Sequence, residues 1–384
     1  MRFQSLRVGT KVSIISLSTI LMLGTTMAQT DVAPVPETKP ATSETTPGAE
    51  LATSKDSGTL ERSNSEMRSV IEKLVELGAK PLHTLTVEEA RKQPTPADAV
   101  AEVIKAQGGT PAPEAVSSVK DVSIPGADGA VSARIYTPAG EGPFPVIVYF
   151  HGGGWVIANP RVYDASPRAL ANQAGAIVVS ASYRQGPEFK FPAAHDDAIA
   201  VYKYVLENAA EFGGDAERIA VVGESAGGNL AVNVAIAARD EGLATPDAVI
   251  AVYPVAGADL NTPSYIENQN AIPLGKADIE WFVDQYLNST DEAKDARVDL
   301  VNAELADLPP TTIIGAEIDP LASEGKTLAD KLEAAGVEVT YQLWEGVTHE
   351  FFGMAAVVSE AKEAQNLAGE SLREAFGSEQ VVPK

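Results

Sequence analysis

Eight short runs rich in β-branched and aromatic residues punctuate the chain, at residues 119–124, 133–136, 146–150, 176–181, 219–222, 248–253, 311–314 and 337–344. Runs such as Val146-Ile147-Val148-Tyr149-Phe150 are apolar at nearly every position, as strands covered on both faces are. From the third run on, stretches with helical periodicity separate them, among them 229–238 and 277–287. Such alternation predicts an α/β fold built on a mostly parallel, doubly wound eight-stranded sheet with helices on both faces and an antiparallel start. Upstream, Val70, Ile71, Leu74, Val75 and Leu77 recur at the spacing of an amphipathic helix, and a second helical stretch covers 97–106, with Gly78 and Pro81 between the two.

The first residues follow a different pattern. Arg2, Arg7 and Lys11 precede an apolar stretch over 12–23, and Thr26-Met27-Ala28 offers small residues for cleavage, so 1–28 reads as an export signal cut after Ala28. The apolar stretch is short and broken by serines, which disfavours an uncleaved anchor and implies no stable membrane insertion after cleavage. The expected location is the periplasm or the exterior. Residues 29–65 are rich in Pro, Thr, Ser, Ala and Glu, and are expected to form a disordered linker because little apolar surface is available to offset ordering.

Composition narrows the chemistry. A formal charge of -24 argues against nucleic acid and anionic membrane surfaces as partners. With no cysteine there is neither a disulfide nor a thiol nucleophile, and four scattered histidines show no paired ligand spacing, so no metal and no cofactor are implied. Oligomeric state is not encoded in any pattern found.

Gly223-Glu224-Ser225-Ala226-Gly227 stands between the fifth apolar run and a helical stretch, the layout of a G-x-S-x-G nucleophile elbow. The serine there must adopt a strained backbone, and the two glycines let neighbouring chain pass close. The helix N-terminus behind Ser225 presents free amides, Ala226 first, to a developing oxyanion. The third run leads into His151-Gly152-Gly153-Gly154, where amides unshielded by side chains supply further donors from Gly153 and Gly154, together with Gly152. Chain order selects the base. His83 lies in the N-terminal helical region, His151 in the glycine loop where its ring braces backbone, and His195 beside Asp196 and Asp197 as an ion-paired residue at a helix start. His349, in the loop after the last run, remains. Glu317 and Asp319 are both candidates for the orienting acid; Asp319 is favoured because it lies deeper in its loop beside Pro320, with Glu317 a structural carboxylate.

From about residue 119 to the C-terminus, the chain resembles the hormone-sensitive-lipase-like family of α/β-hydrolase esterases. The resemblance rests on His151-Gly152-Gly153-Gly154, the Gly-Glu-Ser-Ala-Gly elbow, Asp319-Pro320-Leu321 and the segment 183–194. That segment matches the family's YRLAPEHPFPAA at its ends, but has Gln185, Gly186, Phe189 and Lys190 in place of Leu, Ala, His and Pro. Where the family has a small residue after the histidine, this chain has Glu350, a carboxylate that either raises the basicity of the histidine or faces water, the second being the expectation. The resemblance implies an α/β-hydrolase domain over 119–384 with a helical cap, made in part by the N-terminal region 66–118 and completed by an insertion over about 259–300. Trp155, Glu224, Trp281 and Phe282 are the expected substrate-pocket residues, the cap aromatics also packing with Tyr286.

The expected function is hydrolysis of short- to medium-chain carboxylic esters, small molecules, through an acyl-enzyme on Ser225 with His349 as base and Asp319 as its orienter. An amidase or peptidase with the same triad, and a non-catalytic binding protein on this scaffold, are the alternatives.

Overall fold

The computed structural model describes residues 58–378. The expected leader over 1–28 lies outside them, as does most of the expected linker. The linker's last part requires correction, because residues 58–65 are built into the fold: helix α1 (Thr59–Arg62) leads directly to α2 (Ser65–Glu76). The hydroxyl of buried Thr59 accepts the Ile272 amide at 3.2 Å, Arg62 donates to Asn268 at 2.7 Å, and the Asn64 amide donates to the Gly346 carbonyl at 2.9 Å. These anchors to distant segments offset the entropy of ordering a polar stretch.

Helix α2 starts where Asn64 caps it, accepting the amides of Glu66 and Met67 on its side-chain oxygen. Met67, Val70, Ile71 and Leu74 form its buried face. Helices α3 (Val87–Ala90) and α4 (Pro96–Ala106) each open on a capping box, Thr86 with Glu89 and Thr95 with Asp98, and Pro96 supplies the fixed φ suited to a first turn.

The sheet strands are β1 (Ser118–Pro125), β2 (Ala130–Thr137), β3 (Phe144–Phe150), β4 (Ile177–Ala181), β5 (Gly214–Glu224), β6 (Val249–Val252), β7 (Thr311–Ile318) and β8 (Val339–Thr348). Their order is β1-β2-β4-β3-β5-β6-β7-β8, with β2 antiparallel to both β1 and β4 and all other pairs parallel. All eight apolar runs are therefore strands of one sheet. The further helices are α5 (Ala165–Ala174), α6 (Ala193–Asn208), α7 (Ala226–Glu241), α8 (Pro263–Glu267), α9 (Lys276–Tyr286), α10 (Ala322–Ala334) and α11 (Ser359–Ala375).

Strand alternation divides the interior into two cores. Val146, Val148, Phe150 and Val221 join the core containing Val201, Leu230 and Leu328 of α6, α7 and α10. Ile147, Tyr149, Val222 and Ile250 join Leu170 and Leu372 of α5 and α11 in the other. The N-terminal region contributes to both. Ile71 of α2 and Val103 of α4 pack in the second core, whereas Leu82 and Ala90 pack in the first with the insertion residues Leu274, Ile279 and Phe282. The turn around Leu82 and Ala90 packs directly on the insertion, while Leu74 and Val75 of α2 and Pro96 of α4 also reach the cavity wall. His83 fastens that turn to the insertion: its amide and ring Nδ1 both donate to Asp278 Oδ1, at 3.0 and 2.8 Å, while Asp278 Oδ2 accepts the Gly275 amide at the start of α9.

His195 departs from its expected role as an ion-paired residue. It is fully buried, Nε2 donating to Asn229 Oδ1 and Nδ1 accepting from the Tyr286 hydroxyl, each at 3.0 Å, and burial pushes its pKa down to about 4. It is neutral. Asp197 instead faces Arg184, accepting from its amide at 2.9 Å, from Nε at 2.9 Å and from Nη2 at 3.1 Å, and also takes the Ala127 amide at 2.8 Å. One wholly buried carboxylate thereby joins the β1–β2 turn, the segment after β4 and helix α6. Removing it leaves two amides without their acceptor and the guanidinium with only longer contacts to exposed Asp128 and the Ala193 carbonyl, so Asp197→Ala is expected to cost about 3 kcal/mol in urea unfolding. A midpoint equal to that of the unmodified protein excludes this role.

Candidate active site

Between β5 and α7 the chain reverses with almost no loop. Ser225 occupies φ 57° and ψ -119°, a left-handed backbone that costs a non-glycine residue energy and persists only when its neighbours impose it. The neighbours do so at close range. A Cβ on Gly223 would lie 2.0 Å from the Gly227 carbonyl oxygen, and one on Gly227 would lie 2.0 Å from that of Phe150. The amide of Ser225 donates to Val252 at 2.8 Å, and its carbonyl accepts the amides of Asn229 and Val255 at 3.1 and 3.2 Å. The serine side chain is thus presented at the carboxyl ends of β3, β5 and β6.

His349, just beyond β8, reaches it: Nε2 lies 2.9 Å from Ser225 Oγ, and Nδ1 lies 2.7 Å from Asp319 Oδ2. Asp319 follows β7, is fully buried, and accepts the Leu321 amide at 2.9 Å on its other oxygen. A carboxylate only accepts, so the histidine proton resides on Nδ1 and Nε2 is left to take the hydroxyl proton. Burial opposes charge on the imidazole, but the Asp319 carboxylate, its hydrogen bond, and the charges of Glu350 and Glu224 outweigh that and hold the His349 pKa above its ordinary value. Glu317 takes no part in this chain of bonds. Its carboxylate accepts the Gly346 amide at 2.7 Å and lies 3.6 Å from Arg62, a structural clamp on β8.

The glycine loop after β3 is arranged by its carbonyls. Tyr183 donates to the His151 carbonyl at 2.8 Å, the His151 ring donates from Nδ1 to the Gly152 carbonyl at 2.7 Å, and the Gly153 carbonyl accepts the amides of Val156 and Ile157. Because C=O and the following N–H point oppositely across a trans peptide, the amides of Gly152, Gly153 and Gly154 are all turned away from these partners. Side chains have no room there. A Cβ on Gly152 would meet the Tyr163 hydroxyl at 2.4 Å and Ser225 Cβ at 3.1 Å, and one on Gly154, at φ 58°, would meet the Phe282 ring at 2.2 Å. The carbonyl of Ser225 is likewise occupied, which frees the Ala226 amide at the N-terminus of α7. His151 braces this loop as expected, stacked on Tyr183 with centroids 4.5 Å apart, and burial lowers its pKa to about 4.

Above Ser225 and His349 opens a cavity of about 1860 Å³, roofed by the N-terminal segment around Leu82 and by the insertion. Trp155 and Phe282 line it, Trp155 stacking on Tyr286 at 4.9 Å. Two expected pocket residues do not. Trp281 sits on the far side of Phe282, edge to face at 5.2 Å, because successive residues on a helix point about 100° apart. Glu224 is turned beneath the elbow, where its oxygens accept the hydroxyls of Tyr149 and Tyr253 at 2.5 Å each. As the last residue of β5 it points to the face opposite the cavity. Burial, followed by the charge of Glu350, pushes its pKa up to about 7.

Glu350 also departs from expectation. Rather than facing water, it bends back at φ 72° and accepts the Tyr163 hydroxyl at 2.5 Å, its Oε1 lying 4.0 Å from His349 Nε2. Tyr149, Tyr163 and Tyr253 were not singled out from sequence. Their signal was a phenol at or beside the end of a strand where an otherwise apolar run continues, as in Tyr149 and Tyr253.

A family described as the α/β hydrolase fold matches residues 147–353, which contain all these groups. An ethyl acetate hydrolase of Pseudomonas putida is 34% identical over 301 residues, covering 77% of this chain and 92% of that protein. Carboxylesterase NlhH of Mycobacterium tuberculosis is 40% identical over 253 residues, covering 64% of this chain and 79% of that one. Among solved structures, a hyperthermophilic esterase from the archaeon Pyrobaculum calidifontis superposes with a TM-score of 0.74 at 32% identity, covering 82% of this chain and 98% of that one. The chain belongs to the α/β-hydrolase fold family, in its hormone-sensitive-lipase-like branch.

Proposed function

We propose that the protein is a serine carboxylesterase acting on small esters, with Ser225 as nucleophile, His349 as general base and acid, and Asp319 as the carboxylate that orients it. The observation that carries this reading is the continuous chain of contacts from Asp319 Oδ2 to His349 Nδ1 and from His349 Nε2 to Ser225 Oγ, at 2.7 and 2.9 Å. The relatives' printed names, an ethyl acetate hydrolase and a carboxylesterase, favour esters over amides as the substrates. Substrate enters the cavity above Ser225. The serine oxygen attacks the ester carbonyl as His349 takes its proton, and the amides of Gly152, Gly153, Gly154 and Ala226 receive the oxyanion. His349 then gives the proton to the departing alcohol, and water repeats the sequence to free the acid. Asp319 keeps its negative charge throughout and stabilises the imidazolium. Trp155 and Phe282 bound the substrate's apolar portion. The pattern of residues 1–28 supports export to the periplasm or beyond as part of this proposal.

Ser225→Ala is expected to reduce kcat for a p-nitrophenyl ester on the order of a million-fold, by analogy with other serine triads. Retention of a few per cent of the activity in a purified variant removes Ser225 from the role of nucleophile. Gly154→Ala places a methyl group against Phe282 at a positive φ and displaces the loop, so kcat should fall about a hundred-fold or more, the loss seen when one oxyanion donor is misplaced, with some loss of thermal stability from the strain. Full activity in that variant rules out this loop as the anion site. Because the base works unprotonated and its pKa is raised, kcat/KM should fall with decreasing pH with a half-point above about 6.5, the ordinary histidine value. A limb centred below that value contradicts the assignment.

A further inference from the structure

The triad engages Glu350 through a contact that the acyl-transfer scheme does not use. Asp319 meets His349 at Nδ1, whereas Glu350 approaches the opposite edge, its Oε1 4.0 Å from Nε2. No lysine or arginine pairs with Glu350 among the described residues; His349 is the only cationic group within ion-pair distance. Its position is not adventitious. The left-handed backbone at Glu350 turns the side chain back toward the site, and the Tyr163 hydroxyl donates to it at 2.5 Å. Tyr163 in turn lies against the glycine loop, its hydroxyl occupying the space a Cβ on Gly152 would need.

Resting on the triad assignment above, we propose that Glu350, held by Tyr163, is a positioning residue that stabilises positive charge on His349 from the Nε2 edge. During acylation the imidazole gains a proton at Nε2, the edge that faces this carboxylate, so the interaction strengthens as the transition state forms and Asp319 is not left to bear the charge alone. The cavity wall around the pair is partly desolvated, which preserves the attraction from screening.

The groups facing His349 are Asp319 at Nδ1, Glu350 at Nε2, Glu224 beneath the elbow, and the ring of Tyr253 with its centroid 4.5 Å away. The tyrosines stay neutral, since burial raises Tyr163 and Tyr253 well above the ordinary phenol range. Burial holds Glu350 above the ordinary carboxylate value, the charge of His349 and the hydrogen bond from Tyr163 offsetting only part of that rise. Removing the Glu350 charge therefore favours neutral imidazole, and the acid limb of activity moves to lower pH.

The test compares pH profiles of kcat/KM on p-nitrophenyl acetate for the full chain and for E350Q. The limb should shift down by about one pH unit or more, the scale expected for losing an opposite charge within 4–6 Å, and kcat on the high-pH plateau should fall several-fold. E350D, which keeps the charge, should restore most of the limb's position. An unmoved limb in E350Q with an unchanged melting temperature overturns the proposal. If E350Q does not fold, Tyr163→Phe provides the reading: loss of the hydroxyl raises the carboxyl's own pKa, so the limb should move the same way by a smaller amount, and an unmoved limb again overturns it. Failure of the underlying triad is separately visible, because the unmodified protein would then neither hydrolyse the ester nor be labelled at Ser225 by an organophosphonate.

Discussion

The site depends on one backbone collision that has been avoided. Where β5 passes into α7, the carbonyl oxygens of Phe150 and Gly227 stand where side chains would otherwise project, and glycine at 223 and 227 alone accommodates them. The resulting proximity of β3 and α7 holds Ser225 in a left-handed conformation and sets the glycine loop beside it. The strain at Ser225 is sustained by hydrogen bonds from its amide and to its carbonyl, which tie it to β6, to α7 and to the turn after β6. Position, rather than any property of the hydroxyl itself, separates this serine from the others in the chain.

Most of this was legible because it is local. The strands showed as uninterrupted apolar runs, and the elbow and glycine loop as contiguous motifs whose residue types answer to backbone geometry. Asp319 and His349 followed from chain order, each in a loop beyond a strand. What sequence did not reveal depends on partners far along the chain. His195 sits next to two aspartates, yet Asp197 is taken by Arg184 and the imidazole by Asn229 and Tyr286. Residues 58–65 share their composition with the stretch before them, and only contacts to Asn268, Ile272 and Gly346 distinguish them. Trp281 and Phe282 are chemically similar neighbours, and helix rotation decides which one meets the cavity.

The cap illustrates how two sequence-distant segments become one wall. Neither the turn around Leu82 nor helix α9 has enough apolar surface to fold alone, but Leu82, Ile279 and Phe282 share a core with the sheet's upper face. Asp278 then supplies direction. It caps α9 through the Gly275 amide while accepting two donors from His83, so that the start of the helix and the N-terminal turn are located by the same carboxylate. Phe282 presses on Gly154 from this helix, which makes the shape of the oxyanion loop a consequence of how the cap is seated.

Beneath the triad the protein buries carboxyl groups without basic partners, an arrangement that would be costly if the oxygens lacked donors. Phenols meet this need. Tyr149 and Tyr253 donate to Glu224, and Tyr163 donates to Glu350, so both carboxyl groups are hydrogen-bonded without a lysine or arginine to neutralise them. An arginine in any of these places would satisfy the carboxylates better but would lower the basicity of His349 by its own field. Tyrosine supplies the hydrogen bond and adds no charge. Placing it at the ends of β3 and β6, where apolar rings already complete the core and the hydroxyl alone reaches past it, meets the demands of packing and of catalysis with one side chain.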